Sequence, residues 1–208
     1  MRCKRVGKVA MEPDAPQWAD SEEASLDMVQ TPLEMQPTPY IQKSWTDKPY
    51  GRITPLTVRA QHDGTTLAVR IAWTAVGGEN PDFPDAVAFA LPVKGEPMLV
   101  SMGEPDAPIH ILLWQGRKSG KDSLRSVLAS GIGSSRPGPA IRSAVMATRD
   151  DNRFAVVIAR ALGGGGETAP VKAGKTAKIG FAVWDGANEE RAGIKAFSID
   201  WADLTLDA

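Results

Sequence analysis

Apolar and polar positions alternate most clearly between Leu56 and Trp73. Leu56-Thr-Val-Arg-Ala60 and Thr65-Thr-Leu-Ala-Val-Arg-Ile-Ala-Trp73 flank His62-Asp63-Gly64. Leu67, Val69, Ile71 and Trp73 share one strand face, and Asp-Gly suits the positive φ angles of a tight turn, so the stretch predicts a β-hairpin. Short apolar runs predict further strands at Ala86–Leu91, stopped by Pro92, and at Ile109–Trp114, between Pro108 and Gly116. Phe154-Ala-Val-Val-Ile-Ala-Arg160 is expected to pair with Lys178-Ile-Gly-Phe-Ala-Val-Trp184 across a loop holding Gly163 to Gly166, and a last strand is expected over Lys195–Leu206. In Lys178–Trp184, Ile179, Phe181 and Val183 point one way, and Gly180, Ala182 and Trp184 the other. The weak pattern of 117–150 leaves Asp122–Leu128 as one or two helical turns.

Ahead of Leu56, Pro13, Pro16, Pro32, Pro37, Pro39, Pro49 and Pro55 interrupt any long period. Proline removes a backbone donor and restricts its predecessor, so residues 1–55 are expected to form an extended proline-rich arm, a candidate for subunit docking, ahead of a β domain over 56–208. Many short strands joined by Gly/Pro turns predict a mostly β protein: an antiparallel β-sandwich with long Pro/Gly-rich loops and little helix. No internal repeat interrupts that reading.

Composition narrows the options. The chain has 208 residues, 42% of them hydrophobic, which supports a packed core. A formal net charge of -1 gives no basic excess to attract nucleic acid or an anionic membrane surface. Cys3 is the only cysteine. That excludes an internal disulfide, a thiolate-held iron–sulfur cluster and a C-x-x-C-H attachment site for c-type haem. At the start of the chain the Cys3 thiol is expected to face solvent. The basic start lacks an apolar h-region behind it, so neither a signal peptide nor an anchor is expected, and no stretch approaches the roughly 20 apolar residues of a membrane span.

Catalytic motifs are absent: no G-x-S-x-G elbow, no G-x-x-x-x-G-K-[ST] loop and no H-E-x-x-H helix. Gly163 to Gly166 read as a flexible turn. His62, beside the Asp63-Gly64 turn, is expected at the surface, and His110, opening an apolar strand, as a hydrogen-bonded core residue. Asp82/Asp85 and Glu189/Glu190 read as solvated loop faces. The six tryptophans suit core anchors, sugar-stacking platforms or the walls of a flat cofactor pocket.

Four segments, in order, carry a family likeness: Arg70-Ile-Ala-Trp73; Phe83-Pro-Asp-Ala-Val-Ala88 running to Leu91-Pro92; Met102-Gly103 followed by Pro108 through Trp114; and Phe181-Ala-Val-Trp-Asp-Gly-Ala-Asn-Glu-Glu-Arg-Ala-Gly-Ile-Lys195. Together they resemble the haem b-binding γ subunit of type II molybdoenzymes of the DMSO reductase family, most of all the ethylbenzene dehydrogenase γ subunit. The likeness spans roughly residues 56–206. It implies one non-covalent haem b whose iron takes Met102 and Lys195 as axial ligands. From the residues alone Met98 is as good a candidate as Met102. Arg191, and Arg117/Lys118, are candidates to pair with haem propionates.

The resemblance further implies an electron-transfer chain that is not an enzyme by itself. Its partners would be a catalytic α subunit carrying the molybdenum cofactor and a β subunit carrying iron–sulfur clusters, in a heterotrimer served by an external carrier such as a soluble cytochrome. The implied location is the periplasm, reached by co-export with the catalytic subunit; a cytoplasmic complex is the alternative. The rival reading is a carbohydrate-binding β-sandwich module without cofactor, which needs aromatic rings on an exposed face.

Overall fold

The computed structural model describes residues 1–78, 80, 82–116 and 123–208. The strands are β1 (Arg2–Arg5), β2 (Ala24–Leu26), β3 (Val29–Gln30), β4 (Leu56–His62), β5 (Thr66–Thr74), β6 (Ala86–Pro92), β7 (Ile109–Gln115) and β8 (Leu124–Ala129). They continue with β9 (Ser135–Pro137), β10 (Ser143–Asp150), β11 (Arg153–Ala161), β12 (Gly163–Gly165), β13 (Thr168–Val171), β14 (Thr176–Trp184), β15 (Ala196–Phe197) and β16 (Ala202–Leu206). Among the described residues α1 (Pro39–Trp45) is the one α-helix; Thr38 caps it by accepting from the Ile41 amide through its hydroxyl.

The main sheet runs β10-β11-β5-β4-β1-β16-β14-β6-β7-β8-β9, with β2, β3 and β15 attached beside that path. Strand β14 belongs to both layers: Thr176–Ile179 pair with β16, whereas Gly180–Trp184 pair with β6. A strand that changes partners midway turns one long sheet into two facing layers. Trp73 on β5 and Phe154 on β11 stack at 5.0 Å, and Trp114 on β7 meets them edge-on at 6.3 and 6.4 Å, so aromatic rings from the two layers close the core together. The mostly β sandwich expected from the pattern is observed, although its sheet is mixed.

The hairpin of β4 and β5 forms as expected, with Leu67, Val69, Ile71 and Trp73 all buried. Other expectations are corrected. Strand β11 pairs with β5 and β10, not with β14. A tight turn at Asp151 (φ 51) and Asn152 supplies β10 as a neighbour at little loop-closure cost, which outweighs a partner farther along the chain. Leu124–Ala129 is a strand on β7 rather than helical turns, because pairing with a neighbouring strand overrides a weak local preference. The expected last strand is two, β15 and β16, which serve the two halves of β14. Gly163–Gly165 are not a loose turn but a short strand against β13.

Regular structure also begins long before Leu56. Strand β1 lies between β4 and β16, parallel to both. It buries Cys3 completely, contrary to the solvent-facing thiol expected, and burial pushes that thiol up to about 12. His62 is likewise buried rather than exposed, its Nδ1 accepting from the Gly64 amide at 3.3 Å. No helix of the described residues is long and apolar enough to cross a membrane.

Candidate functional site

The outer face of the second layer is built from small residues. Strand β6 reads Ala86-Val-Ala-Phe-Ala-Leu91: its alternating pattern sends Val87, Phe89 and Leu91 into the main core and keeps alanines on the other face. Across the ladder Ala88 faces Ala182, and Ala90 faces Gly180 on β14 and Ile111 on β7. The result is a shallow apolar floor, with Trp184, Ile111 and Leu113 at its margins. A cleft of about 600 Å³ lies over this part of the sheet. Its apolar inner end reaches Leu99, Ile109 and Phe197.

One wall is the connection from β6 to β7. A short 3-10 turn, Leu99–Ser101, ends at Met102, which takes a left-handed conformation at φ 61. Its amide donates to the Leu99 carbonyl at 3.0 Å, and its own carbonyl accepts from the Gly131 amide at 3.0 Å. Gly103 follows at φ 85, where an added Cβ would lie 2.6 Å from the Ala129 carbonyl oxygen. Glycine is required there, and the two bonds hold Met102 at the cleft wall. Met98, the alternative from the residues alone, is 68% exposed and lines a neighbouring groove instead.

The other wall is the 185–195 segment, stapled by a buried carboxylate. Glu190 Oε1 accepts from the Gly51 amide at 2.8 Å and from Asn188 Nδ2 at 3.1 Å, while Oε2 accepts from the Asp185 amide at 3.0 Å. Asp85 Oδ1 accepts from the Gly186 amide at 3.2 Å. Glu190 and Asp85 are therefore not solvated loop charges, and burial raises both carboxyls. At the far end, Gln36 donates to the Gly193 carbonyl at 3.2 Å and the Thr31 amide to the Lys195 carbonyl at 3.1 Å. An added Cβ at Gly193 would collide with the Gln36 side chain. Residues before Leu56 thus hold this wall in place.

Lys195 is the exceptional group. Its side chain lines the cleft, yet the residue is only 5% exposed. Its Nζ donates to the Ala192 carbonyl at a long 3.4 Å and lies 5.7 Å from the Trp184 ring centroid. No carboxylate is paired with it among the described residues, and burial pushes the ammonium down to about 8. Trp184 Nε1 donates to the same Ala192 carbonyl at 3.1 Å, so that acceptor is shared. Of the four non-glycine residues at positive φ, Met102, Glu189 and Ala192 lie in these two walls.

Met102 and Lys195, from separate loops, therefore border one cleft. Arg191 is there too, exposed and with its guanidinium 5.0 Å over the Phe83 ring. Arg117 and Lys118 lie outside the described residues. Sequence reasoning missed Arg125, which lines the cleft from β8, and the alanine floor. The alternation of alanine with large residues over 86–91 was the available signal for that floor. Met102 sulfur, a Lys195 amine whose proton burial loosens and an apolar floor suit a flat, largely apolar metal complex, and exposed guanidiniums suit acidic substituents at its edge. Among the described residues no group of His, Cys, Asp and Glu is arranged to hold a bare metal ion.

No family model matches the chain. Over 158 residues it is 35% identical to the chlorate reductase subunit gamma of Ideonella dechloratans, covering 72% of this chain and 64% of that protein. Over 197 residues it is 28% identical to a protein of Haloferax mediterranei provisionally named respiratory nitrate reductase heme subunit ORF7, covering 90% and 67%. The chain thus spans just under two thirds of the first relative and just over two thirds of the second. Among solved structures, a family 9 carbohydrate binding module of Caldicellulosiruptor kristjanssonii in complex with cellotriose superposes at a TM-score of 0.54. It has 10% identity and covers 100% of this chain and 94% of that one. A protein of Bacteroides uniformis described as carbohydrate-binding gives 0.54 at 13%, covering 100% and 98%. At such identities the likeness is one of fold alone. In sequence, the chain is similar to subunits of two reductases.

Proposed function

We propose that the chain is an electron-transfer subunit that holds one haem b in this cleft, with Met102 and Lys195 as its axial ligands. The observation that carries the reading is the unpaired, buried Lys195 amine on a cleft it shares with the Met102 thioether. Burial without a counter-ion favours the neutral amine, which is the form able to bind a metal. A bound haem would supply a one-electron couple, and a thioether ligand favours its reduced state. The chain's own residues would hold the group, exclude water with the alanine floor and Trp184, and meet its acidic substituents with Arg191 and Arg125. If Met102 and Lys195 both bound the iron, no position on it would be left for a substrate, and chemistry on substrate would belong to a partner.

The names of the two similar proteins, subunits of a chlorate and of a nitrate reductase, support a place in a larger oxidoreductase. The partners we propose are a molybdenum-containing α subunit and an iron–sulfur β subunit, with an external carrier such as a soluble cytochrome, in a periplasmic heterotrimer of the ethylbenzene dehydrogenase type. The 1–55 segment, which joins the sandwich through β1 and β2 but leaves α1 without a buried residue, is the proposed docking segment. For the carbohydrate-binding alternative no tryptophan offers a fully exposed face: Trp18, Trp73 and Trp114 are buried and Trp45, Trp184 and Trp201 half-buried, which leaves Tyr40 on α1 as the exposed ring.

The test is the absorption spectrum of the chain purified with its partners from haem-sufficient cells. The expected result is a low-spin six-coordinate haem that Lys195→Ala converts to another coordination state or loses. A colourless preparation overturns the haem assignment; a spectrum unchanged in Lys195→Ala overturns that ligand. Fractionation of the native complex tests the compartment.

A further inference from the structure

The two ends of the main sheet are treated differently. At one end β9 is three residues long and contains Pro137, features that discourage further pairing. At the other end β10 is eight residues long, and its middle, Ala144-Val-Met-Ala-Thr148, has no proline and no charge. Among the described residues its pairing runs along one side only, to β11. Most of its side chains are exposed, and Met146 is 43% exposed. An edge of this length without a blocking residue is a template for another strand.

The geometry of the edge also specifies what fits it. The Ala161 amide donates to the Arg142 carbonyl at 2.8 Å, just outside the β10–β11 ladder. In an antiparallel ladder, bonded and non-bonded pairs alternate, so the even-numbered residues of β10 bond to β11. The backbone groups of Ser143, Val145 and Ala147 turn to the open side. If this edge meets itself antiparallel about a two-fold axis at Met146, Val145 falls opposite Ala147 of the second copy, and both present bonding groups. On the face that carries Met146, Arg142 then falls opposite Asp150 of the second copy, and Asp150 opposite its Arg142. Both are exposed, and neither forms an ion pair among the described residues. A register slip of one residue would bring bonding groups against non-bonding ones, and a slip of two would keep the ladder but lose both charge pairs.

We propose that β10 is a homodimer edge, at which a second copy of this chain adds its own β10 antiparallel, centred on Met146 and flanked by Arg142–Asp150 pairs. A symmetric interface needs a self-complementary patch, which this strand has. One strand pair buries less than the roughly 1,000 Å² of a durable interface, so the association is reversible and concentration-dependent.

Sedimentation velocity on the full chain, from about 1 μM to several hundred, reads the equilibrium directly. The expected result is a shift from monomer to dimer across that range. Met146→Lys, which sets two ammonium groups face to face on the axis, should remove the dimer. Arg142→Asp should weaken it about tenfold or more by opposing like charges, and Arg142→Asp combined with Asp150→Arg should restore it. All three positions are exposed, and unchanged far-ultraviolet dichroism checks the fold. A chain that stays monomeric throughout overturns the proposal, as does a dimer indifferent to every variant. A charge swap that fails to restore association overturns the register. If the chain alone is monomeric but Met146→Lys weakens co-purification with a partner subunit, the edge belongs to a foreign strand and the proposal fails.

Discussion

At the scale of single residues, Lys195 costs the folded chain stability. The unfolded chain keeps this amine protonated to about pH 10.4, whereas burial lowers its folded value to about 8. Between those values the unfolded state holds more protons, so the stability of the haem-free chain climbs with pH; below pH 8 the full penalty stands, about 3 kcal/mol. Lys195→Met should therefore raise the urea midpoint of the haem-free chain at pH 7, with a gain that shrinks from pH 8 to 10.5. The same variant should change the haem spectrum, because a thioether would replace the amine. A midpoint lowered at pH 7 would mean that the amine has a stabilising partner. His110 titrates in the acid range. Its Nε2 lies 2.9 Å from Ser126 Oγ, and that hydroxyl donates to the Pro139 carbonyl. The ring therefore carries its proton on Nε2 and leaves a buried Nδ1 lone pair unpartnered. Burial first, and then Arg160, hold its protonation down to about 4. The unfolded histidine binds its proton near 6.5, so stability falls as pH drops from 6.5 to 4, by about 3 kcal/mol. Urea titrations of His110→Gln should show a flatter profile across that window.

At the scale of elements, the site depends on how two loops are anchored. Met102 is held by a turn whose next residue must be glycine. Gly103→Ala would combine a positive φ with a clash against the Ala129 carbonyl and should cost about 2 kcal/mol or more. It should also change the haem spectrum of the holoprotein, while Gly7→Ala, in open space, leaves that spectrum unchanged. The same contrast explains what the sequence reveals. The β4–β5 hairpin was legible because alternation and the Asp63-Gly64 turn agree over a few residues. The partner of β11 was not, because β5, β10 and β14 all present apolar faces and only the folded topology chooses among them. Lys195 and Met102 were legible only through the family likeness, since a lone lysine and a lone methionine carry no signal of their own. Nothing in the composition marks Glu190 as a buried staple, because its three donors come from Gly51, Asp185 and Asn188.

At the scale of the whole molecule, β1 joins what would otherwise be two separate ladders. Its central contribution to the core is Cys3, and its flanking residues are charged, so no periodic pattern marks it as a strand. Yet it pairs with both β4 and β16, and Arg2 reaches Asp207 at 2.8 Å from the same edge of the chain. The layer holding β4, β5 and β11 is therefore connected through β1 to β16, β14 and the cleft floor. If so, the Cys3 thiol should be exposed only when the sheet itself opens. It is fully buried, and its ionisation is pushed up to about 12, which suppresses the reactive thiolate. In native buffer, labelling with an aromatic disulfide should be slow, and its rate should rise with urea along the same slope as global unfolding measured by tryptophan fluorescence. Fast labelling that ignores urea would mean β1 frays independently, and the two ladders would then be held together by core packing rather than by strand pairing. Deleting residues 1–6 separates the same alternatives: loss of cooperative unfolding is expected if β1 is the join, and a near-normal transition if it is not.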